Sequence, residues 1–377
     1  MNKRIVELDM VKGIGIVYVF LRHLCELTGV NAYGQGFYSI FNSCTECFMF
    51  LFVFLSGYVF KSKGSISLDI KNKVKQLIVP YLQYICFFSF TYFVCYVLLG
   101  NMPISAFANK TLSNLLGNPC FDYLNWTLYN NEIRYAFVPY WYIAEVFSAF
   151  VVFIIINNMM NNRKFFNKKL AVTFLFAMTS LLMYLDLRGI VANTFGSGVS
   201  YFTVGPNIVG FAALLFIGNI LHDLKVFDIE AYSKSRTLSI FAVCLLITVV
   251  QLALYNNQYA LQYAKWGQSG ILSVRLTTID AFALTYCLIY LCYYLKQITL
   301  VKDWLAYLGA HTLDILLLHF GVAELICMAF GFWYPVYDIE KYPQEGFAWW
   351  HFNLVVILTA ILIAMYLAGK GYLRKNK

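Results

Sequence analysis

The stretch "LDMVKGIGIVYVFLRH", residues 8–23, is apolar for most of its length, yet it carries Asp9, Lys12, Arg22 and His23. Followed back to residue 5 and on to about 27, the run reaches the roughly 20 residues that an α-helix needs to cross the hydrocarbon core of a bilayer. Ionisable groups inside such a segment are expensive and mark substrate paths, proton paths or partner helices. The reading of this stretch therefore depends on whether the rest of the chain belongs to a membrane.

It does. Of the 377 residues 60% are hydrophobic and 12% charged, about half the charge of an ordinary soluble chain, where roughly 25% is usual. Aromatic residues make up 19%, and many Tyr and Trp flank apolar runs as interfacial belts do. The chain reads as an integral membrane protein, all-α and polytopic. Windows of membrane-spanning length predict about ten transmembrane helices, near 5–27, 37–60, 78–99, 137–156, 169–187, 205–222, 237–255, 271–294, 304–330 and 349–369. The first run has no small-residue cleavage site behind it and reads as a retained first helix. No soluble domain is expected at either end, so residues 1–377 read as one transmembrane domain.

Charge sets the orientation. Lys and Arg crowd both termini and the even-numbered connections, whereas the odd-numbered connections hold only Lys110, Arg134, Arg188, Lys265 and Lys341. The positive-inside rule places both termini in the cytoplasm. The net charge of +9 is then a topology signal and implies no nucleic-acid partner. The ten cysteines, including the pair Cys44 and Cys47, read as thiols acting as small hydrophobes. No metal site is expected. P-loop, H-E-x-x-H and G-x-S-x-G patterns are absent, and Gly13–Gly15 is too short for a dinucleotide fingerprint.

On a helix, Lys12 and His23 come back to one face after eleven residues, about 16 Å apart along the axis. Asp9 lies a turn before Lys12 and Glu26 a turn beyond His23 on that face; Arg22 points elsewhere and reads as a snorkelling side chain. His222 and His351 read as interfacial. Arg275 and Asp280 read as an interior charge pair or as lining of a path. The outward loops near 100–136 and 331–348 are rich in Asn, Tyr, Trp and Pro, a composition that suits packing against a sugar and equally suits ordinary anchoring at the membrane interface.

The same first helix, with a basic residue, ten residues and then His after a Leu-Asp, resembles the first-helix signature of the acyltransferase 3 family, integral membrane O-acyltransferases acting on carbohydrates. Four further segments resemble that family in order: "FMFLFVFLSGYVF" (48–60), "KNKVKQLIVPYL" (71–82), "VPYWYIAEVF" (138–147) and "LGAHTLDILLLHF" (308–320). Lys12 stands where Arg is commoner, Gln76 where an Arg often precedes Leu-x-x-Pro, Leu316 for Tyr and His311 for Asn.

The resemblance implies transfer of an acyl group, usually acetyl, from cytoplasmic acetyl-CoA to a hydroxyl of a surface or lipid-linked carbohydrate, in the bacterial plasma membrane. The catalytic candidates are His23, Lys12, Asp9, His319 and Glu145. His23 would act as general base or as a transient acyl carrier, and Glu26, Glu46, Glu145, Asp314 or His319 would orient it. Lys12, Lys71, Lys73 and Lys75 are candidates for the phosphates of the donor, and Trp141, Tyr142, Glu46 and Arg275 for the acceptor. Membrane lipids are the other partners, and homo-oligomerisation stays open. Two rival readings are a transporter or glycan flippase using the same intramembrane charges, and a glycan polymerase or ligase. Related halves and matched Gly/Pro breaks, expected of transporters, are not visible in the sequence.

Overall fold

The computed structural model describes residues 5–28, 48–98, 104–105, 107–108, 140–161, 167–184, 206–256, 270–330 and 349–375. The described residues are helical and contain no strand. In chain order the main helices are α1 (Val6–Thr28), α2 (Phe48–Tyr58), α3 (Ile66–Lys73), α4 (Val79–Tyr92), α5 (Tyr140–Asn161), α6 (Lys168–Tyr184), α7 (Pro206–Asp223) and α8 (Lys234–Asn256). They are followed by α9 (Gly270–Leu295), α10 (Thr299–Ala310), α11 (Thr312–Ala329) and α12 (Trp349–Lys375).

Among the described residues, four helical stretches are long and apolar enough to cross a membrane: Ile66–Cys95, Tyr142–Met160, Thr312–Ala329 and Trp350–Tyr372. Shorter apolar helices run over Phe48–Tyr58, Ile208–Asp223 and Ile279–Leu295. α1 has comparable length but carries Glu7, Asp9, Lys12 and Arg22 within it. α8 leaves Leu238, Val243, Leu246, Val249 and Val250 exposed, an apolar face suited to lipid and poorly suited to water.

Two expected spans have a different anatomy. The third, near 78–99, is the later part of a helical run that starts at Ile66, where the Ser65 hydroxyl accepts from the Leu68 N–H. The run widens into π-helical turns at Val74–Ile78 and Phe93–Leu98. The first lies just ahead of Pro80, which has no N–H to give to the carbonyl four residues back, and a widened turn absorbs that defect. The ninth, near 304–330, is two helices: α10 ends at Ala310 and α11 begins at Thr312, with His311 between them at φ −109°, ψ 17°. The Thr312 hydroxyl donates to the Gly309 carbonyl at 2.8 Å, the kind of local bond that competes with helix continuation.

The chain forms two compact units. The first comprises Met1–Tyr18, Gly36–Val74 and Glu145–Thr312. Its helices meet through glycines: a methyl group at Gly13 would collide with the Leu305 carbonyl, and one at Gly309 with the Asp9 carbonyl, so α1 and α10 approach backbone to backbone. Gly57 against the Leu215 carbonyl and Gly218 against the Phe54 carbonyl do the same for α2 and α7. Small residues at both sides of a crossing are how helices gain contact in lipid, where apolar surface alone provides no drive. Around these crossings Phe50, Phe54, Phe153, Phe211 and Phe216 are buried, with Phe153 and Phe216 ring centroids 4.5 Å apart. Just past the end of α9, the Lys296 ammonium bridges Glu7 at 2.6 Å and Glu230 at 3.2 Å. Burial pulls the Lys296 pKa down, but the two carboxylates outweigh it and hold the group above its ordinary value.

The second unit comprises Val19–Gln35, Lys75–Ala144 and Leu313–Lys377. α4 lies against α11 where the Phe88 ring fills the space in which Gly321 has no side chain. Toward the first turn of α11 the Tyr84 hydroxyl donates to Asp314 at 3.0 Å. Its single proton is thereby used, so the Tyr366 hydroxyl, 2.8 Å away, donates to the Tyr84 oxygen. Lys370 of α12 pairs with the same Asp314 carboxylate at 2.5 Å. α4, α11 and α12 are thus joined by one polar cluster and one aromatic contact.

Candidate active site

The unit boundary falls inside α1, between Tyr18 and Val19, so Lys12 and His23 belong to different units.

In the second unit His23, half-buried on the last turns of α1, meets His319 of α11, which is fully buried. The two residues are 296 positions apart in sequence, and His23 Nδ1 lies 2.7 Å from His319 Nε2. The ring planes are within 12° of parallel. Ring faces in van der Waals contact would be about 3.5–4 Å apart, so nitrogens at 2.7 Å mean that the rings meet edge to edge through a hydrogen bond. Phe20 flanks His319 at 6.1 Å and Phe320 stands edge-on to His23 at 6.0 Å, centroid to centroid.

The network fixes where the protons are. His319 Nδ1 lies 3.0 Å from the Ile315 carbonyl and 2.9 Å from the Leu316 carbonyl, one turn back on its own helix. Carbonyl oxygens only accept, so Nδ1 carries the proton. In a neutral imidazole Nε2 is then the acceptor, and the bond between the rings is donated by His23 Nδ1–H. That leaves His23 Nε2 with the lone pair, the arrangement needed for a base or a nucleophile.

Arg22, the neighbour of His23, is 7% exposed. The snorkelling reading does not hold, because a side chain buried to that degree packs inside the protein. Glu324 of α11, five residues past His319, has no exposed surface at all. The sequence reading did not single it out, although a carboxylate in "GVAELICMAF" was there to be seen; the motif match ended at Phe320 and drew attention away from the residues after it. Asp314, one of the residues considered for orienting His23, is engaged by Tyr84 and Lys370. Tyr142 is buried in this unit.

In the first unit Asp9 and Lys12 lie one turn apart, 3.9 Å between Oδ1 and Nζ. The Lys73 ammonium sits 3.8 Å from the centroid of Phe150 and 5.7 Å from that of Phe60, a cation–π arrangement that holds the charge in place. Lys71, exposed, shares the helix with Lys73, and Lys75, also exposed, is in the first turn of the second unit. Asp69 is buried and accepts from the Ser62 hydroxyl at 2.6 Å and the Lys63 N–H at 2.7 Å, closing the turn before α3. Glu145 is 8% exposed. Glu46, and the side chains of Glu26, Trp141 and Arg275, lie outside the described residues.

Compared with known families, the chain matches the acyltransferase 3 model, described as an acyltransferase domain, over residues 5–369. No curated protein and no solved structure matches it.

Proposed function

The chain belongs to the acyltransferase 3 family, and on that premise we propose that this membrane acyltransferase moves an acetyl group from cytoplasmic acetyl-CoA to a hydroxyl of a surface or lipid-linked carbohydrate. In this reading residues 1–377 form one functional domain of ten spans, with both termini in the cytoplasm of a bacterial cell and the protein in its plasma membrane. The observation that carries the reading is the bond between His23 and His319 inside a unit of apolar helices. An ionisable pair with one ring fully buried in such surroundings calls for a function, and the tautomer leaves a basic nitrogen on the residue of the family's first-helix motif.

The reaction balances without an outside proton. His23 Nε2 takes the proton of the acceptor hydroxyl as its oxygen bonds to the thioester carbonyl carbon. The carbon–sulfur bond then breaks, and the departing thiolate takes that proton from the imidazolium, leaving the ester and free coenzyme A. In the acyl-carrier form, Nε2 attacks the thioester carbon and the thiolate leaves. The sugar hydroxyl then attacks the acyl-imidazolium carbon, its proton passes to the thiolate, and the carbon–nitrogen bond breaks to return the lone pair to Nε2. Both routes use the same nitrogen.

Coenzyme A brings a pyrophosphate and a 3′-phosphate. Lys12, held by Asp9, and Lys73, held over Phe150, supply positioned ammonium groups, with Lys71 and Lys75 as more exposed counter-charge. Tyr142, Trp141, Glu46, Arg275 and Glu145 remain the acceptor-side and orienting candidates. No metal takes part in this scheme.

The test is acetyl-CoA binding and turnover by the purified protein in nanodiscs, with radiolabelled donor and a surface-glycan extract as acceptor. Label on glycan with the wild type, and none with His23→Ala although donor binds, is the expected result. Failure to bind donor under any condition would sink the reading and favour transport, the one rival that uses the same intramembrane charges.

A further inference from the structure

We propose that His319 is a positioning residue that decides which nitrogen of His23 reacts, and that it shares the charge His23 acquires. The inference rests on the acyltransfer reading above and deepens it. A lone histidine on α1 would exchange its proton between Nδ1 and Nε2, and Nε2 would carry the lone pair only part of the time. Here the chain of acceptors runs one way. The Ile315 and Leu316 carbonyls hold the proton of His319 on Nδ1, so His319 Nε2 can only accept, and His23 must place its own proton on Nδ1 to meet it at 2.7 Å. The base is thereby always Nε2 of His23.

The same contact acts when the proton arrives. On taking the acceptor's proton, His23 becomes an imidazolium whose Nδ1–H already points at a neutral nitrogen lone pair, and a hydrogen bond to a charged donor is stronger than one between neutral groups. No bond to His319 has to break or form. The proton that entered at Nε2 leaves from Nε2 to the thiolate sulfur, and His319 ends the cycle in the tautomer in which it began. Two features of the fold serve this alignment. The pair is edge to edge rather than stacked, and α11 is held close to α4 by the missing side chain at Gly321. The polar cluster of Tyr84, Asp314, Tyr366 and Lys370 fixes the start of α11, five residues before His319.

The experiment compares His319→Gln with His319→Asn in the full-length protein in nanodiscs. Both variants bury an amide of similar polarity. The Gln side chain is long enough to set its oxygen about where Nε2 stood and accept from His23 Nδ1–H; Asn is one methylene short. General-base contributions are typically 10²–10⁴-fold. The expected result is that Asn lowers kcat by roughly 10²-fold or more, that Gln restores at least about tenfold of the loss, and that donor KM stays within about twofold in both. Equal kcat in the two variants, or a loss confined to donor KM, overturns the proposal, since a packing role would not separate them. His23→Ala run beside them keeps the failures apart. If that variant still transfers label, the acyltransfer site itself is misplaced; if it is inactive while Asn and Gln match wild type, only the role of His319 falls.

Discussion

The two units handle charge inside an apolar fold in opposite ways. In the first, most ionisable groups lie toward the helix ends and are matched by local partners: Asp9 with Lys12, Lys296 with Glu7 and Glu230, Asp69 with a hydroxyl and a backbone N–H. Its interior is mostly phenylalanine and glycine crossings, with Glu145 buried there as well. In the second, polar groups run into the packed interior along α11, from Asp314 through His319 to Glu324, and the last two have no exposed surface. Charge near a helix end reports topology and can be matched by water or a neighbouring turn. Charge in the middle of a packed span has to be matched by the protein, so it persists there for a function. On the proposed reading, Lys12 and Lys73 of the first unit serve the donor phosphates, and the histidine pair of the second unit serves the proton.

The sharpest way to break that division is His23→Ala. It should lower turnover by at least about 10³-fold while leaving donor binding within about twofold, measured by label transfer and equilibrium binding on one preparation. Comparable loss of donor binding would show that the second unit also holds the donor, and the contrast between the units would fail.

Next in size are the crossings of the first unit. Gly13→Val sets a branched side chain against the Leu305 carbonyl, a backbone atom that cannot swing aside as a side chain would. Overpacking costs about 1–3 kcal/mol where side chains can adjust, so the loss here should be at the top of that range or beyond, read as a lowered midpoint in detergent thermal unfolding. Gly369→Val, in α12 with open space around it, is the matched control and should shift the midpoint little.

The polar cluster of the second unit should respond in between. Tyr84→Phe removes the hydroxyl that links Asp314 to Tyr366 and should cost about 2 kcal/mol, because two hydrogen bonds are lost and one of them is to a carboxylate. Its effect on kcat should exceed its effect on donor KM, because the cluster anchors the helix that carries His319. The reverse pattern would separate the cluster from the histidine pair.

Much of this was legible in the sequence and some was not, for physical reasons. A helix of apolar residues announces itself by composition, because every membrane span must satisfy its backbone internally. His23 and Lys12 were visible because an ionisable residue in such a run is rare. The partner of His23 stood among Glu26, Glu46, Glu145, Asp314 and His319, of which His319 also matched the family's late pattern, until the fold brought His319 within 2.7 Å. The break at His311 was hidden because hydropathy averages over a window, whereas helix continuity is decided by single groups such as the Thr312 hydroxyl. Arg22 was misjudged because helical angle tells which way a side chain leaves the axis, and nothing about which neighbour covers it.

The smallest effects test the lysines, and here the comparison turns quantitative within one short segment. Lys73 is held over Phe150, so its charge is already placed when the donor arrives, whereas Lys71 and Lys75 are exposed and must give up side-chain freedom to contact a phosphate. Lys73→Ala should therefore raise donor KM about five- to tenfold, the size expected for losing a preordered charge–phosphate contact of about 1–1.4 kcal/mol. Lys71→Ala or Lys75→Ala should raise it about twofold, and that smaller change should vanish in high salt, because exposed charges are screened within a Debye length of about 3 Å at 1 M. If all three lysines behave alike and fade together with salt, the segment is counter-charge for topology alone, and donor binding has to be sought around Lys12.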